Sequence, residues 1–465
     1  NKFIDFNRDR LIPEMYSNEG PALSSADVNG DGVKDFFIGG AKFQTGALFV
    51  SFKDKYLKDS TFLKESIYSE DTDAIFLDID QDNDQDLYVC SGGRAFSEND
   101  KSLKDRIYIN DGKGNFTLDN SLLPTNFNFI SSSITSADFN KDGFIDVFVG
   151  QRMKGNNYGL PGNGYLLYNS KESKFKVNQK EVFSNIGMVT DVQAIDINND
   201  SWEDIIIIGH WMGIKVFINE NGVFNDHTEK YDLNKTVGLW NDIELKDIDK
   251  DGDIDIVAGN LGLNTYFKKG DRVYINDFDK NGTIEQILCH KINDKFYPIV
   301  DRDELISQLP YLKKKFVRFD QYASASIEDI FDSSQLKNSL VYEIDQLASL
   351  WLENKNGKFI HHQLPIQAQY SSIYAIKILD LNNDNINDIV LGGNQYNVKP
   401  QFGRNDASNG LLIYGSLKDD KYKLENVNSI EIDGQIRNLD FFNFEANKIL
   451  IFTVNNEEVK FKKIK

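Results

Sequence analysis

Short apolar runs closed by glycine recur along the chain: FFIGG at 36–40, LYVCSGG at 87–93, VFVG at 147–150, IIIIG at 205–209, IVAG at 256–259 and IVLGG at 389–393. Runs this short, bounded by turn residues, read as fully buried strands. A second apolar segment stands upstream of each: ALSSA, AIFLD, SITSA, VQAID, DIELK and YAIKIL. Further strand pairs joined by Gly/Asn turns follow in several units, in RIYINDGKGNFTL, GYLLYNSKESKFKV, IKVFINENGVFND and SLWLENKNGKFIHHQL. The repeating unit is therefore four strands.

Between the first two strands of each unit lies an acidic nonapeptide of the form D-x-[DN]-x-D-[GNS]-x-x-D. The copies begin at Asp27, Asp78, Asp138, Asp196, Asp247 and Asp380. The first five start 51, 60, 58 and 51 residues apart, which is the spacing of propeller blades. The sixth follows after 133 residues. That gap predicts an insertion over 260–347 in the fifth unit, with a further acidic loop at Asp277 and a charged, helix-patterned stretch from Arg302 to about Gln346. Residues 435–456 have the strand pattern without a complete loop and read as a seventh, degenerate blade. The expectation is one all-β domain over 1–465, a seven-bladed β-propeller. The N-terminal KFIDF is expected to close the ring as an outer strand of the last blade, because an open sheet edge is a liability.

Oxygen donors at positions 1, 3, 5 and 9, with a carbonyl at 7, suit a hard cation of six or seven ligands. The donor sets are Asp27, Asn29, Asp31 and Asp35; Asp78, Asp80, Asp82 and Asp86; Asp138, Asn140, Asp142 and Asp146; and Asp196, Asn198, Asp200 and Asp204. In the second half they are Asp247, Asp249, Asp251 and Asp255; Asp277, Asp279, Asn281 and Glu285; and Asp380, Asn382, Asp384 and Asp388. Calcium fits these oxygens, whereas zinc would want the His and Cys that are scarce here. Six or seven such ions would act as structural staples, and seven would offset about 14 of the 20 net negative charges.

These loops and the strands around them resemble the FG-GAP, or VCBS, repeat family, whose integrin α-chain relatives form seven-bladed propellers with calcium loops of this form. Ser or Asn at position 6, as at Ser201, departs from the usual glycine. The segments FIDFNRDRLIPEMYSNEGPALSSADVNGDGVKDFFIGGAK, LWNDIELKDIDKDGDIDIVAGNLGLN and GGNQYNVKPQFGRNDASNGLLIYG are similar to large secreted or outer-membrane lipoproteins of the Bacteroidetes. That resemblance implies an exported, cell-surface chain preceded by further domains and a lipid anchor.

The formal charge of −20 argues against nucleic acid and anionic membranes as partners. No apolar stretch is long enough to span a bilayer. Cys90 and Cys289 lie in or beside apolar runs and read as small core residues, not as a disulfide. Residues just after each glycine stop should converge at one channel mouth: Lys42, Arg94, Arg152, His210 with Trp211, Asn260 and Asn394, with Trp240 and Arg404 nearby. Such a ring would suit a polar or anionic glycan; the alternative is that its cations pair internally. The sequence contains no HExxH, GxSxG or Cys/His arrangement. The chain thus reads as a calcium-stabilised extracellular binding module that captures glycan or another polar polymer, or serves as an accessory subunit of a cell-surface assembly; an integrin-like protein–protein adaptor is the alternative. A propeller lyase or hydrolase using His210 and Arg152 is the remaining alternative.

Overall fold

The computed structural model describes residues 3–53, 55–171, 174–178, 180–419, 421–444 and 447–464. Among these, the strands form eight antiparallel sheets. Seven follow one another in sequence as blades. The first blade comprises Leu23–Ala26, Asp35–Ile38, Ala47–Phe52 and Lys55–Asp59, paired in that order. The innermost strands of the other six are Asp71–Leu77, Ser131–Ala137, Met188–Ile195, Asp242–Lys246, Ile373–Leu379 and Ile436–Phe444. Each packs against the next, and Ile436–Phe444 packs against Leu23–Ala26, so the ring closes. Second strands such as Asp86–Ser91, Asp146–Gln151 and Asp204–Met212 are buried throughout, as continuous apolar runs between two sheet faces must be.

The closure differs from the expected clasp. The seventh blade holds three strands, Ile436–Phe444, Asn447–Val454 and Lys460–Lys463, all from the C-terminal end. Residues Asp5–Arg8 form a single helical turn instead of an edge strand. The reason lies in the side chains: Leu11, Ile12 and Tyr16 are fully buried, and Asp5 is buried against Arg94 at 3.7 Å. These groups pull the N-terminal segment across the end of the propeller, where Met15 N–H donates to the Asn397 carbonyl (2.8 Å) and Lys399 N–H to the Pro13 carbonyl (3.0 Å).

The insertion leaves the fifth blade after Asp255–Gly259 and returns at Leu350–Asn354, its third strand. Its helical stretch is broken into short pieces, among them Arg302–Gln308, Phe319–Ala323 and Ser333–Lys337. It also builds the eighth sheet, from Arg272–Asn276, Glu285–Ile292, Lys295–Pro298 and Leu340–Glu343, with the Asp277 loop in its first hairpin. Phe267, Val273, Ile275 and Leu288 of the insertion share one core with Ile12, Tyr16, Tyr158 and Trp211. The N-terminal segment is therefore clamped between the propeller and the insertion.

Replacing Ile12 by Ala should open a cavity at the centre of this clamp. The expected loss is about 2–5 kcal/mol of unfolding free energy, measured by urea denaturation. A loss near zero would show that the clamp is not tightly packed.

Candidate cation loops and the roofed channel mouth

Each acidic loop joins the two inner strands of its hairpin, and one residue does most of the structural work. The position-9 carboxylate is buried in all seven loops. One of its oxygens accepts the backbone N–H of position 2: Val28 to Asp35 at 2.9 Å, Ile79 to Asp86 at 3.0 Å, Phe139 to Asp146 at 3.2 Å and Ile197 to Asp204 at 3.1 Å, with Ile248, Phe278 and Leu381 repeating it. In the six blade loops the other oxygen accepts an N–H from the third strand or the residue just after it: Ser51, Asn110, Asn169, Asn219, Asn354 and Gly415, at 2.6–2.9 Å. A single carboxylate thus holds three strands of a blade in register. Asn side chains at the same level stitch neighbouring blades, Asn110 Nδ2 to the Val28 carbonyl (2.8 Å), Asn169 Nδ2 to Ile79 (2.7 Å) and Asn219 Nδ2 to Phe139 (2.9 Å).

Positions 1, 3 and 5 face outward from this staple. Position 1 accepts the N–H groups of positions 5 and 6, as Asp138 does from Asp142 (3.1 Å) and Gly143 (2.9 Å). The backbone at position 6 is left-handed, with φ of 90° at Gly143 and 70° at Ser201, a conformation that glycine adopts freely and serine only under strain. Where position 3 is also acidic, three carboxylates converge within 4.8 Å: Asp78, Asp80 and Asp86; Asp247, Asp249 and Asp251; Asp277, Asp279 and Glu285. In the first of these, Asp78 Oδ1 is buried with no hydrogen-bond donor among the described residues. Burial pushes the carboxyls of Asp86, Asp146, Asp204 and Asp255 up to about 7. An all-oxygen donor set with an orphaned buried acceptor fits a hard divalent cation. The fifth loop carries a competitor, because Lys355 Nζ lies 2.8 Å from Asp251, 3.5 Å from Asp249 and 2.9 Å from Glu353.

The residues expected to ring a channel mouth do gather at one end of the propeller, but most are buried and engaged. Arg94 pairs with Asp5 and Asp9 and donates to the Asn156 carbonyl at 2.9 Å. Arg152 pairs with Glu19 at 2.8 Å and places Nη2 3.1 Å from His210 Nδ1. An arginine only donates, so His210 Nδ1 accepts and its Nε2–H donates to Asn241 Oδ1 at 3.0 Å. Trp211 Nε1–H donates to the Tyr158 hydroxyl (2.8 Å) and Trp240 Nε1–H to the Thr236 carbonyl (2.8 Å). Asn260 and Asn394 bond backbone on both sides of their amides, through Leu261 N–H and the Gln346 carbonyl, and Ser408 N–H and the Gly434 carbonyl. Lys42 is half-buried over the Phe96 ring at 4.4 Å, and Arg404 is exposed beside Asp406 at 3.6 Å. The open ring expected from the sequence is thus a roofed polar layer. The acids that neutralise it come from the N-terminal segment, a pairing that no local pattern announces. Cys90 and Cys289 are both buried and unpaired.

The FG-GAP-like repeat family matches residues 78–149 and 196–258, which fall on the second, third, fourth and fifth blades. No curated protein matches the chain in sequence. Among solved structures, BBS1N in complex with ARL6DN, soaked with mercury, has a TM-score of 0.44 at 10% identity, covering 97% of this chain and 94% of that one. Sqt1 of Saccharomyces cerevisiae has a TM-score of 0.44 at 10% identity, covering 98% and 97%.

Burial, and then the nearby Arg152, hold the His210 pKa well below its ordinary 6.5. The unfolded chain therefore binds a proton that the folded chain refuses, and stability should fall as pH drops below about 6.5. His210→Gln should flatten the pH dependence of unfolding free energy between about pH 6.5 and 5 by up to one proton. Denaturation in excess calcium at each pH measures this, and an unchanged slope would mean that His210 is not held neutral.

Proposed function

We propose that this propeller is a protein-binding module, stapled by calcium, that docks its partner on the insertion. The observation that supports the reading is the contrast between the two ends of the chemistry. The polar groups at the channel mouth are consumed internally, which removes the feature that had favoured a glycan, while the insertion displays Val317 and Phe319 at 68% and 63% exposure. Around them stand the exposed cations Lys313 and Lys314 and the Arg318–Asp320 ion pair (2.6 Å), in a protein whose net charge is −20. An apolar pair rimmed by cations suits an acidic protein surface with an apolar centre. A photo-crosslinker placed at residue 319 should capture one discrete protein from the surface fraction of the source cells, and Val317→Asp with Phe319→Asp should abolish the complex at unchanged melting temperature. Equal capture by a crosslinker at exposed Phe52, on the first blade, would overturn the reading.

Calcium is the cation that best fits the seven loops, and sites of this form in extracellular modules bind it with dissociation constants of about 10⁻⁴–10⁻³ M. Such sites fill only where calcium is millimolar, so the module would work outside the cytoplasm. At millimolar calcium each filled site should add on the order of 1 kcal/mol, so excess EGTA should lower the melting temperature markedly. Metal counting on the purified protein should find six or seven ions per chain, the fifth loop being weakest because Lys355 competes there. An unchanged midpoint in EGTA, with no metal bound, would leave the loops as solvated turns.

A further inference from the structure

The fifth blade carries the insertion between its second and third strands. Asp255–Gly259 and Leu350–Asn354 are joined through residues 260–349, whereas the first blade joins Asp35–Ile38 to Ala47–Phe52 through residues 39–46. Bringing two strands together across the longer connection costs more chain entropy. The blade that carries the docking patch is thus the one whose third strand is hardest to hold in register.

The residue that follows the third-strand donor of the staple is Phe52, Asp111, Ser170, Glu220, Lys355 or Ser416 in the six looped blades. The fifth places a cation there. Lys355 Nζ lies 2.8 Å from Asp251 Oδ2 and 3.5 Å from Asp249 Oδ2, so it reaches positions 5 and 3 of its own blade's loop. In four other blades the position-5 Oδ2 takes its hydrogen from the position-3 asparagine amide: Asn29 to Asp31 (3.3 Å), Asn140 to Asp142 (3.0 Å), Asn198 to Asp200 (3.0 Å) and Asn382 to Asp384 (2.9 Å). Asp249, a carboxylate, has no hydrogen to give. Lys355 donates to Asp251 in its place.

Two further contacts aim the lysine. The residue before the staple donor is Val50, Ile109, Tyr168, Ile218 or Tyr414 in the other blades but Glu353 in the fifth. Glu353 Oε1 lies 2.9 Å from Lys355 Nζ, and its Oε2 accepts from Nε2 of His362 at 2.8 Å, whose ring stacks on Trp351. On the other side, Asn356 N–H donates to Asp253 Oδ2 at 3.1 Å, which ties the turn carrying Lys355 to the loop. The second loop is the contrast. It has the same three aspartates, Asp78, Asp80 and Asp82, but Asp111 stands where Lys355 would, and Asp78 Oδ1 keeps no donor among the described residues.

On the calcium reading of the other loops given above, on which this step rests, we infer that Lys355 is a built-in counter-ion: it takes the place of the metal in the fifth loop and keeps the base of the insertion stapled when calcium is low. An ammonium brings one positive charge and three hydrogens to the carboxylates. Because it is tethered beside the strand that it holds, its local concentration does not change with free calcium. The docking patch therefore keeps its footing at any calcium level, while the second blade depends on the ion.

Amide hydrogen exchange on the full chain, in millimolar calcium and in excess EGTA, tests this with the wild type and Lys355→Met. The substitution keeps the apolar stem and removes the charge, at a side chain 41% exposed, so the core is left alone. In the wild type, EGTA should speed exchange in Asp86–Ser91 and leave Asp255–Gly259 and Leu350–Asn354 unchanged. In Lys355→Met the two fifth-blade strands should exchange about fivefold faster in EGTA and return to the wild-type rate in calcium. Metal counting should find one ion more on the variant than on the wild type. Faster exchange of the fifth-blade strands in the wild type on EGTA addition, no acceleration in the variant, or equal non-zero ion counts would each overturn the inference. If EGTA leaves Asp86–Ser91 unchanged as well, the calcium reading fails by itself, and the variant compared with the wild type in EGTA still decides whether Lys355 staples the blade.

Discussion

The buried carboxylate at the ninth position of each acidic loop is the interaction on which the blades depend. It accepts one N–H from the loop's own start and one from the end of the third strand, so first hairpin and third strand are registered by the same two oxygens. Burying a carboxylate is costly unless its oxygens are satisfied, and here burial raises the group's affinity for a proton even with both bonds made. A cation bound by positions 1, 3 and 5 would supply the missing positive charge. The loop is thus a hydrogen-bonded staple first and a candidate cation site second, and the two roles would share Asp35, Asp86, Asp146, Asp204, Asp255 and Asp388.

What was legible in the sequence is what these local contacts encode. Loop residue and staple partner lie within one blade, and the apolar runs that follow are buried on both faces, so spacing alone located six blades, and the strand pattern indicated a seventh. The fate of the residues after each glycine stop was not legible. Arg94 finds Asp9 across 85 residues and Arg152 finds Glu19 across 133, and neither acid stands in a motif. KFIDF has the alternation of a strand, but Asp5 is buried beside Arg94 and accepts from the Ser17 hydroxyl, a tertiary demand that overrides the local pattern.

The roof and the channel form one system. Arg152 touches the N-terminal segment through Glu19, the fourth blade through His210 and the cavity of the central channel below through its own side chain. His210 is held neutral by burial and by that guanidinium, and passes the contact to Asn241, which lines the same cavity. A change at the roofed end therefore reaches the channel by two hydrogen bonds.

The clamped N-terminal segment also bears on how the chain is made. Residues 3–22 leave the ribosome before any of the surfaces that hold them, and their partners continue as far as Asn455 of the seventh blade, whose Nδ2 donates to the Asn18 and Gly20 carbonyls. Until those surfaces exist, Leu11, Ile12 and Tyr16 have nowhere to hide. This segment is synthesised before everything that holds it and finds its place last, so a nascent chain must keep it from misadventure while nearly the whole ring assembles behind it.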